Sequence, residues 1–320
     1  TLRALAGRPE LRLIGVAARH RDAPRPSFDV PIPVRHAPIP RQLLYETWHA
    51  IGWPSVEQIT GPVDVVHGTA VAVPPCDAPL VMTIHDLAFL ADPSQPTRHG
   101  LRFFRRGTEL AAERARLVLV PSQATAEECV AAGFDADRIR LVPWGVTAHP
   151  VTEADIAAMR AEHGLVNPYV LFVGTVEPRK NLAAVIDGMR SLGGRDIDLV
   201  LVGPDGWNED LDARLARLDG SGVRVHRLGF QPADALAPLY AGCAAFCFPS
   251  LREGFGMPVL EAMAHGAPVV TSAGTATAEV AGDDALLVDP HDHGAVGEAL
   301  VRLVDDPHLA DDLRRRGRVR

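Results

Sequence analysis

A chain of 320 residues exceeds the roughly 100 to 200 residues of a typical domain and predicts two domains. Its 47% hydrophobic residues, 22% charged residues, 28 Gly and 27 Pro are typical of a globular protein and exclude a disordered or low-complexity chain. The net charge of −8 arises in residues 151–320, where 25 acidic residues stand against 16 basic ones, and this balance excludes general affinity for nucleic acid.

Short apolar runs alternate with helical patterns along the whole chain. The candidate strands, in chain order, are residues 11–17, 63–67, 80–84, 117–120, 139–142, 169–173, 199–202, 223–228, 244–248, 268–271 and 286–288. The runs are nearly unbroken in their apolar character, which is typical of parallel strands covered by helices on both faces. The pattern therefore predicts an α/β fold with two doubly wound, Rossmann-like domains facing a central cleft.

The predicted boundary between the domains lies in a segment rich in Pro and Gly. Pro143, Gly145 and Pro150 follow the strand that ends at residue 142, and no new strand begins before Tyr169. We therefore place an N-terminal domain at residues 1–148 and a C-terminal domain at residues 149–320. The chain opens on a short helical pattern at residues 2–6, so we expect the N-terminal domain to lack its first strand.

Residues 98–116 form a basic helical pattern with six Arg and two Glu. At 100° per residue, a narrow inward face is predicted to consist of Leu101, Phe104, Thr108, Ala111 and Ala115. The exposed arginines suggest weak peripheral contact with an anionic membrane or an acidic acceptor. Glu109 lies four residues after Arg105 on the outer face, and this spacing favours an ion-paired, solvated helix instead.

The sequence contains no pattern typical of a metal site, a disulfide framework or a membrane span. No run approaches the roughly 18 apolar residues that cross a bilayer, and the first residues show no secretory signal. We therefore expect a protein located in the cytoplasm or at the inner face of the membrane. The four cysteines lack paired spacing and are expected to be reduced and packed. Three pairs of aspartates, 135 with 137, 196 with 198 and 210 with 212, are interpreted as solvated.

The segment with the clearest chemistry follows the strand at 244–248. Gly254 and Gly256 allow a ligand to approach the backbone closely, and Pro258 suits the first turn of a helix. The amides of Phe255, Gly256 and Met257 then meet the positive end of that helix, where anions such as phosphates bind. We therefore expect a negatively charged ligand at this loop.

Two carboxylates, Glu253 and Glu261, frame the same loop. Beside a phosphate site they suit a ligand rich in hydroxyl groups, such as a nucleotide sugar. Each alone has an ordinary interpretation, Glu261 as a partner of the helix dipole and Glu253 as a solvated loop residue. The spacing from Gly254 through Gly256 to Val259 lacks the third glycine of the dinucleotide fingerprint, which argues against a nicotinamide cofactor.

A second polar cluster directly follows the strand at 169–173. Arg179 offers a planar guanidinium and Lys180 a point charge at the mouth of the sheet, where open α/β folds bind their ligands. Together they are expected to neutralise a diphosphate, although Lys180 and Asn181 also suit the exposed start of a helix. His85 ends a strand of the first domain and can contact a substrate hydroxyl or assist proton movement. His67 ends another strand and has a similar claim.

These residues resemble the retaining GT-B glycosyltransferases of family four, which include bacterial mannosyl- and glucosyltransferases. The resemblance covers about residues 63–307 and is most specific in four stretches of the second domain. They are Gly174-Thr175-x-Glu177-Pro178-Arg179-Lys180-Asn181, Leu201-Val202-Gly203, Leu228-Gly229-Phe230 and Pro249-Ser250-x-x-Glu253-Gly254-Phe255-Gly256-Met257-Pro258-x-x-Glu261. It implies an acceptor-side N-terminal domain, a nucleotide-sugar-binding C-terminal domain and no requirement for a divalent metal or other cofactor.

The resemblance also implies a role for each candidate residue. The catalytic group would be His85, Arg179, Lys180 and Glu253, with Glu253 on the transferred sugar and the two cations on the diphosphate. The donor-binding group would be Gly174, Thr175, Gly254, Phe255, Gly256, Met257, Val259 and Glu261, with Glu261 on the ribose. The stretch around His85 is most similar to the mannosyltransferase branch, which makes GDP-mannose the first expected donor and UDP-glucose the second.

The sequence therefore predicts an enzyme that transfers a hexose, with mannose favoured, from a nucleotide-diphosphate sugar to a glycan or lipid-linked acceptor, as in polysaccharide biosynthesis. Two alternatives stay open. A sugar-nucleotide epimerase shares the two-domain layout, and a non-catalytic two-domain protein would bind sugar and leave the nucleotide untouched.

Overall fold

The computed structural model describes residues 2–20, 30–206 and 210–320, apart from the side chain of Arg3. The chain divides into two compact units. The first comprises Thr1–Pro121 and Thr125–Val142, and the second comprises Ser122–Ala124 and Pro143–Arg320. The last passage of the chain into the second unit follows Val142, whereas the predicted boundary lies after residue 148.

The first unit is built from parallel strands with helices between them. Its elements are α1 (Leu2–Ala6), β1 (Gly15–Arg19), β2 (Val34–Pro40), α2 (Arg41–Ala50), α3 (Val56–Thr60), β3 (Val66–Gly68), β4 (Leu80–Thr83), α4 (Ala88–Ala91), α5 (Arg98–Arg114), β5 (Leu117–Val120), α6 (Gln123–Ala131) and β6 (Ile139–Leu141). The strands form two separate sheets, β1 with β2 and β3-β4-β5-β6 in that order. The sequence predicted one sheet and missed β2, because this strand contains Pro38 and Pro40, which cannot donate to a ladder, and has no unbroken apolar run.

Helix α5 matches the predicted basic helix, but its buried face is wider than predicted. Gly107 and Leu110 are buried together with the predicted Thr108 and Ala111. A Cβ at Gly107 would lie 2.3 Å from the carbonyl oxygen of Val71, so only glycine allows this close approach of helix and backbone.

The second unit contains one large parallel sheet. Its elements are α7 (Glu153–His163), β7 (Tyr169–Val173), α8 (Leu182–Arg190), β8 (Asp198–Val202), α9 (Leu211–Leu215), β9 (Val225–Gly229), α10 (Ala233–Gly242), β10 (Ala245–Phe248), α11 (Met257–Ala264), β11 (Val269–Ser272), α12 (Ala276–Ala281), β12 (Leu286–Val288), α13 (His293–Asp305) and α14 (Pro307–Val319). The strand order is β12-β11-β10-β7-β8-β9. Every residue of β7, β8, β10 and β11 is buried, as expected for parallel strands covered on both faces.

The aspartate pair at 196 and 198 departs from its predicted exposure. Asp198 is the first residue of β8 and is 1% exposed. Its carboxylate accepts hydrogen bonds from Asn167 Nδ2 at 3.0 Å and from His226 Nε2 at 2.8 Å. The solvated interpretation of Asp198 is therefore wrong, because the strand begins one residue earlier than predicted and carries this carboxylate into the interior.

The strand order places a switch point beside β7. This strand pairs with β8 on one side and with β10 on the other. In an open α/β sheet, loops that leave neighbouring strands in opposite directions bound a crevice at the carboxyl ends of those strands. The loops after β7 and β10 flank that crevice, and they carry Arg179, Lys180 and Glu253.

Candidate functional site

The loops after β7 and β10 meet through the carboxylate of Glu253. Its Oε2 accepts a hydrogen bond from Arg179 Nη1 at 3.0 Å, and its Oε1 accepts one from Lys180 Nζ at 2.6 Å. Ser250 Oγ donates to the same Oε1 at 2.7 Å. The structure therefore brings together three of the four residues that the sequence named as catalytic.

The two cations of this group are balanced by two carboxylates. Arg179 Nη2 lies 2.7 Å from Glu177 Oε1, and Glu177 is 4% exposed. Arg179 is thereby held between Glu177 and Glu253, which fixes the plane of its guanidinium. The sequence predicted the cations but not their pairing with Glu177 and Glu253.

Lys180 is almost completely buried. Its side chain is 10% exposed, and Nζ lies 4.9 Å from the centre of the Phe248 ring. Burial lowers the pKa of Lys180, while the neighbouring Glu253 carboxylate acts in the opposite direction. An ammonium group carries three donors, so Lys180 can bond to Glu253 and to a phosphate oxygen at the same time.

Asn181 ties the two loops to each other. It adopts a left-handed backbone, with φ 56° and ψ 44°, between a 3₁₀ turn over Pro178–Lys180 and helix α8. Its Nδ2 donates to the carbonyl oxygens of Pro249 at 3.0 Å and Pro290 at 2.7 Å. Asparagine tolerates this conformation better than most residues, and an Asn directly after Pro-Arg-Lys was the signal in the sequence that could have identified it.

The glycine loop after β10 leads into α11 through Gly256. Gly256 has φ 105°, and a Cβ there would lie 2.7 Å from Thr277 Cγ2, so the position requires glycine. No side chain among the described residues caps α11, whose first residues are Met257 and Pro258. The amide groups at this helix start therefore keep the arrangement that suits an anion.

The other residues predicted in this loop differ in their surroundings. Gly254 is buried, and Phe255 is 7% exposed, with its ring 5.4 Å from that of Trp144. Met257 is half-buried against the core. Val259 is completely buried, and its amide donates to the Gly256 carbonyl oxygen at 2.9 Å. The side chain of Val259 therefore belongs to the core, and its assignment to the donor stays a prediction.

Glu261 lies in the second turn of α11 and faces α10. Its Oε2 accepts a hydrogen bond from Tyr240 Oη at 3.1 Å. Burial raises the pKa of Glu261, and the bond from Tyr240 partly opposes that change. The structure thus places this carboxylate beside Tyr240, apart from the hydrogen bonds that join Glu253 to Arg179 and Lys180.

Both histidines predicted in the first unit lie at the carboxyl ends of neighbouring strands. His85 follows β4, and its Nε2 lies 2.8 Å from the carbonyl oxygen of Thr69. His67 belongs to β3, and its Nε2 lies 2.7 Å from Thr83 Oγ1. Both side chains are exposed, so an imidazole at this edge can meet a ligand.

A cavity of about 240 Å³ lies at the carboxyl ends of β7, β8 and β9. Gly174, which the sequence assigned to the donor, lines it, and the next residue, Thr175, is half-buried. The polar side chains of the lining are Asp205 and Arg227. A pocket at this edge of the sheet extends the crevice beside β7.

Two classes of feature are absent from the described parts of the chain. Across residues 2–20, 30–206 and 210–320, every helix is too short or too polar to cross a lipid bilayer. Within the same ranges, no three or more His, Cys, Asp or Glu side chains are grouped so that they could hold a metal ion.

Comparison with known proteins decides the family. The family model described as "Glycosyl transferases group 1" matches residues 155–320, which is more than half of the chain. The chain belongs to the group 1 glycosyl transferases. A second model, "Glycosyltransferase Family 4", matches residues 2–149 of this group 1 glycosyl transferase. The family expected from the sequence is thereby confirmed.

Curated relatives include two bacterial transferases of different kinds. The O-antigen chain mannosyltransferase B of Escherichia coli is 29% identical over 76% of this chain and 65% of its own length. The D-inositol 3-phosphate glycosyltransferase of Nocardia farcinica is 33% identical over 75% of this chain and 56% of its own length. This group 1 glycosyl transferase therefore spans less than two thirds of the length of either relative.

Solved structures show the same fold. Anabaena HepE in complex with UDP and glucose has a TM-score of 0.72 at 22% identity, over 90% of this chain and 81% of that one. WaaG, a glycosyltransferase involved in lipopolysaccharide biosynthesis, has a TM-score of 0.65 at 19% identity, over 81% and 74%. This group 1 glycosyl transferase therefore has the GT-B architecture of two α/β domains with parallel sheets, as the sequence predicted.

Proposed function

We propose that the protein is a retaining glycosyltransferase that moves a hexose from a nucleotide-diphosphate sugar to a glycan or lipid-linked acceptor. The observation that carries the proposal is the meeting of Arg179, Lys180 and Glu253 at the switch point beside β7. A buried ammonium, a fixed guanidinium and the start of an uncapped helix at one crevice suit a ligand with concentrated negative charge and a sugar attached to it.

The cations act on the leaving group. As the bond between the anomeric carbon and the diphosphate oxygen breaks, negative charge grows on that oxygen, and Arg179 and Lys180 stabilise it without reorganising. The acceptor oxygen forms the new bond to the same carbon, and its proton passes to the departing phosphate on the same face. Since the cations supply the charge, the proposed reaction requires neither a divalent metal nor another cofactor.

The remaining residues hold the sugar and the nucleotide. We assign Glu253 to hydroxyl groups of the transferred sugar, His85 to a substrate hydroxyl and Glu261 to the ribose. The amides from Gly254 to Met257, together with Gly174 and Thr175, are assigned to the sugar and the phosphates. Glu261 can keep its bond from Tyr240 on Oε2 while it accepts a ribose hydroxyl, because a carboxylate has about four acceptor sites on its two oxygens.

Mannose is the proposed sugar and GDP-mannose the proposed donor, with UDP-glucose second. The names of three relatives support mannose, namely the O-antigen chain mannosyltransferase B and serotype-specific mannosyltransferase of Escherichia coli and the α-(1→4)-mannosyltransferase of Mycolicibacterium hassiacum. HepE, which is similar in fold, binds UDP and glucose, which keeps UDP-glucose in consideration.

The test is incubation of the full chain with a panel of labelled nucleotide sugars in the presence of a chelator. We expect transfer to an acceptor or slow release of the sugar, and loss of nucleotide binding in Arg179→Ala and in Lys180→Ala. Arg195→Ala is the matched control, because it removes an arginine of the same unit that pairs with Asp305 on α13. Unchanged nucleotide binding in both site variants would remove the proposed site.

The same experiment separates the two alternatives. A sugar-nucleotide epimerase would change the donor without any acceptor. A non-catalytic binding protein would bind free sugar and leave the nucleotide sugar intact. Either result, obtained with Arg179 and Lys180 in place, contradicts the proposed transfer.

Weak contact with the inner face of the membrane is the second part of the proposal and would place the protein in the cytoplasm. Arg102, Arg105 and Arg106 are exposed on α5, and Ile51 and Trp53, after α2, are 71% and 47% exposed. Exposed cationic and exposed apolar side chains are the two kinds of group that peripheral membrane contact uses. We expect sedimentation with vesicles containing anionic lipid, reduced by salt and by Arg102→Glu with Arg105→Glu. Equal sedimentation with neutral vesicles would contradict it.

A further inference from the structure

The cavity at the ends of β7, β8 and β9 is shaped by glycines that bring two loops together. Gly203 has φ 139°, and a Cβ there would lie 2.1 Å from the carbonyl oxygen of Gly174. A Cβ at Gly206 would lie 1.9 Å from the carbonyl oxygen of Val176. The loop after β8 is therefore packed directly on the loop after β7, which continues to Arg179. A ligand held by Arg179 can extend into this cavity.

The lining of the cavity, as far as the described residues form it, is mostly apolar. It includes one negatively charged acceptor and one positively charged donor. Phe172, Leu201 and Leu211 contribute apolar surface, and Asp205 and Arg227 contribute the charges. A flat aromatic ligand with hydrogen-bonding edges fits a site of this composition, because apolar walls cover its faces while a few polar groups read its edges.

Arg227 has a second carboxylate partner outside the cavity. Its Nη2 lies 3.1 Å from Asp205 Oδ1, and its Nη1 lies 2.8 Å from Asp212 Oδ1. Asp205 and Asp212 are 80% and 86% exposed, so solvent weakens both pairs. Asp205 can therefore turn from Arg227 to a ligand while Asp212 continues to hold the guanidinium. Asp212 does not line this cavity but the shallow groove beside it.

Resting on the nucleotide-sugar function proposed above, we propose that Asp205 and Arg227 select a guanine base in the donor. Guanine presents two adjacent donors, N1–H and the N2 amino group, which match the two oxygens of the Asp205 carboxylate. It also presents the acceptors O6 and N7, which match the guanidinium of Arg227. Uracil offers a single donor between two carbonyl oxygens, and those oxygens repel a carboxylate. Adenine presents an acceptor, N1, where guanine has its donor.

The test measures the affinity of the full chain for GDP, IDP and UDP by calorimetry at fixed salt. IDP is GDP without the N2 amino group, so it isolates one hydrogen bond to Asp205. We expect GDP to bind roughly tenfold or more tightly than IDP or UDP, since a hydrogen bond to a charged group is lost in each case. Asp205→Asn should remove most of the difference between GDP and IDP. It should not weaken the binding of UDP, because it removes the carboxylate that repels the uracil oxygens.

Asp212→Asn is the matched control. It removes the same charge from the same arginine but alters no group that lines the cavity, so the preference for GDP should persist. Retention of the full GDP preference in Asp205→Asn overturns the inference, as does tighter binding of UDP than of GDP by the unmodified chain. Equal binding of all three nucleotides, lost in Arg179→Ala, overturns base selection alone, whereas failure to bind any of them contradicts the proposed function itself.

Discussion

The two units place polar side chains at the same kind of position, the carboxyl end of a parallel strand, but hold them by different chemistry. In the second unit, Lys180 and Glu253 are about nine-tenths buried and form a charged pair at 2.6 Å. In the first unit, His67 and His85 are exposed, and their Nε2 atoms lie at hydrogen-bond distance from a threonine hydroxyl and a backbone carbonyl, respectively. One edge is built from buried, paired charges, and the other carries exposed imidazoles.

This difference teaches which ligand group each edge can serve. Buried charges are costly unless they are paired, so the second unit must keep its ion pairs in a fixed arrangement, and such an arrangement binds an anion with little reorganisation. An exposed imidazole tolerates small displacements and exchanges hydrogen bonds with hydroxyl groups of a substrate. The comparison holds only if the buried charges of the second unit depend on one another.

The largest expected effect concerns the mutual dependence of the buried charges of Lys180 and Glu253. Glu253→Gln removes the carboxylate that Lys180 requires and leaves a buried ammonium beside Arg179, so we expect a loss of about 3–5 kcal/mol in the free energy of unfolding of the second unit. Lys180→Met should cost less, because Glu253 retains its bonds from Arg179 and Ser250. Urea denaturation, with hydrogen exchange to identify the unit that opens, measures both losses.

The double variant Glu253→Gln with Lys180→Met decides whether the two charges act as a pair. If they do, the double variant should be clearly more stable than the sum of the two losses allows, by about 1 kcal/mol or more. Additive losses would mean that the two charges are not coupled, and they would contradict the mutual dependence that the comparison requires.

The next effect concerns the residue that joins the charged loops. Asn181→Ala should lose about 3 kcal/mol, because it removes the bonds to the Pro249 and Pro290 carbonyl oxygens and places alanine in a left-handed conformation. Asn181→Gly loses the same bonds without the backbone strain and should be about 1 kcal/mol more stable than the alanine variant. Thermal unfolding of the two variants measures the difference. Equal stability would show that the left-handed backbone is not a source of strain at Asn181.

Much of the second unit could be predicted from the sequence, and less of the first. Strands β7 and β12 match their predicted bounds, because their apolar runs end abruptly at Pro, Gly or charged residues. Strand β2 was missed because it is half-exposed and contains prolines, so neither alternation nor an apolar run marks it. Hydrophobic pattern identifies buried strands, and it says little about a short sheet at a surface.

The candidate site shows the same limit at the level of single residues. The meeting of Arg179, Lys180 and Glu253 follows from two loops that leave neighbouring strands, and topology alone predicts it. The burial of Val259 depends on how α11 is rotated about its axis, and the pairing of Arg179 with Glu177 depends on a side-chain rotamer. The spacing of a sequence motif specifies neither the rotation of a helix nor a side-chain rotamer, so both features required the structure.

A smaller effect concerns His49, a buried histidine of the first unit that contrasts with the exposed His67 and His85. Its Nε2 accepts a hydrogen bond from the amide of Val73 at 3.1 Å, which requires the neutral ring. Burial lowers its pKa from 6.5, against Glu46, which raises it, and with Arg106 and Arg114, which lower it further. The contribution of His49 to the free energy of unfolding is therefore complete above about pH 6.5, and it is lost as the pH falls through the pKa of His49 in the folded state.

We expect the first unit to lose about 1 kcal/mol more between pH 7.5 and 5.5 in the unmodified chain than in His49→Gln. Glutamine keeps an acceptor for the Val73 amide but does not titrate. Hydrogen exchange at that amide, measured at both pH values, provides the comparison. The same pH dependence in both proteins would assign the loss to other groups and would remove neutral His49 from the account.

The smallest effect runs in the opposite direction and lies in the second unit. Burial raises the pKa of Glu261 above 4.5, so its contribution to stability is complete below that pH and is lost as the pH rises through the folded-state value. Glu261→Gln keeps an acceptor for Tyr240 Oη without the charge and should gain about 0.5–1 kcal/mol relative to the unmodified chain between pH 4 and pH 7. Thermal unfolding across that range measures the gain. Because protonation destabilises the first unit through His49 and stabilises the second through Glu261, the two substitutions must change the pH dependence of stability with opposite signs, and a shared sign would show that burial does not set both titrations.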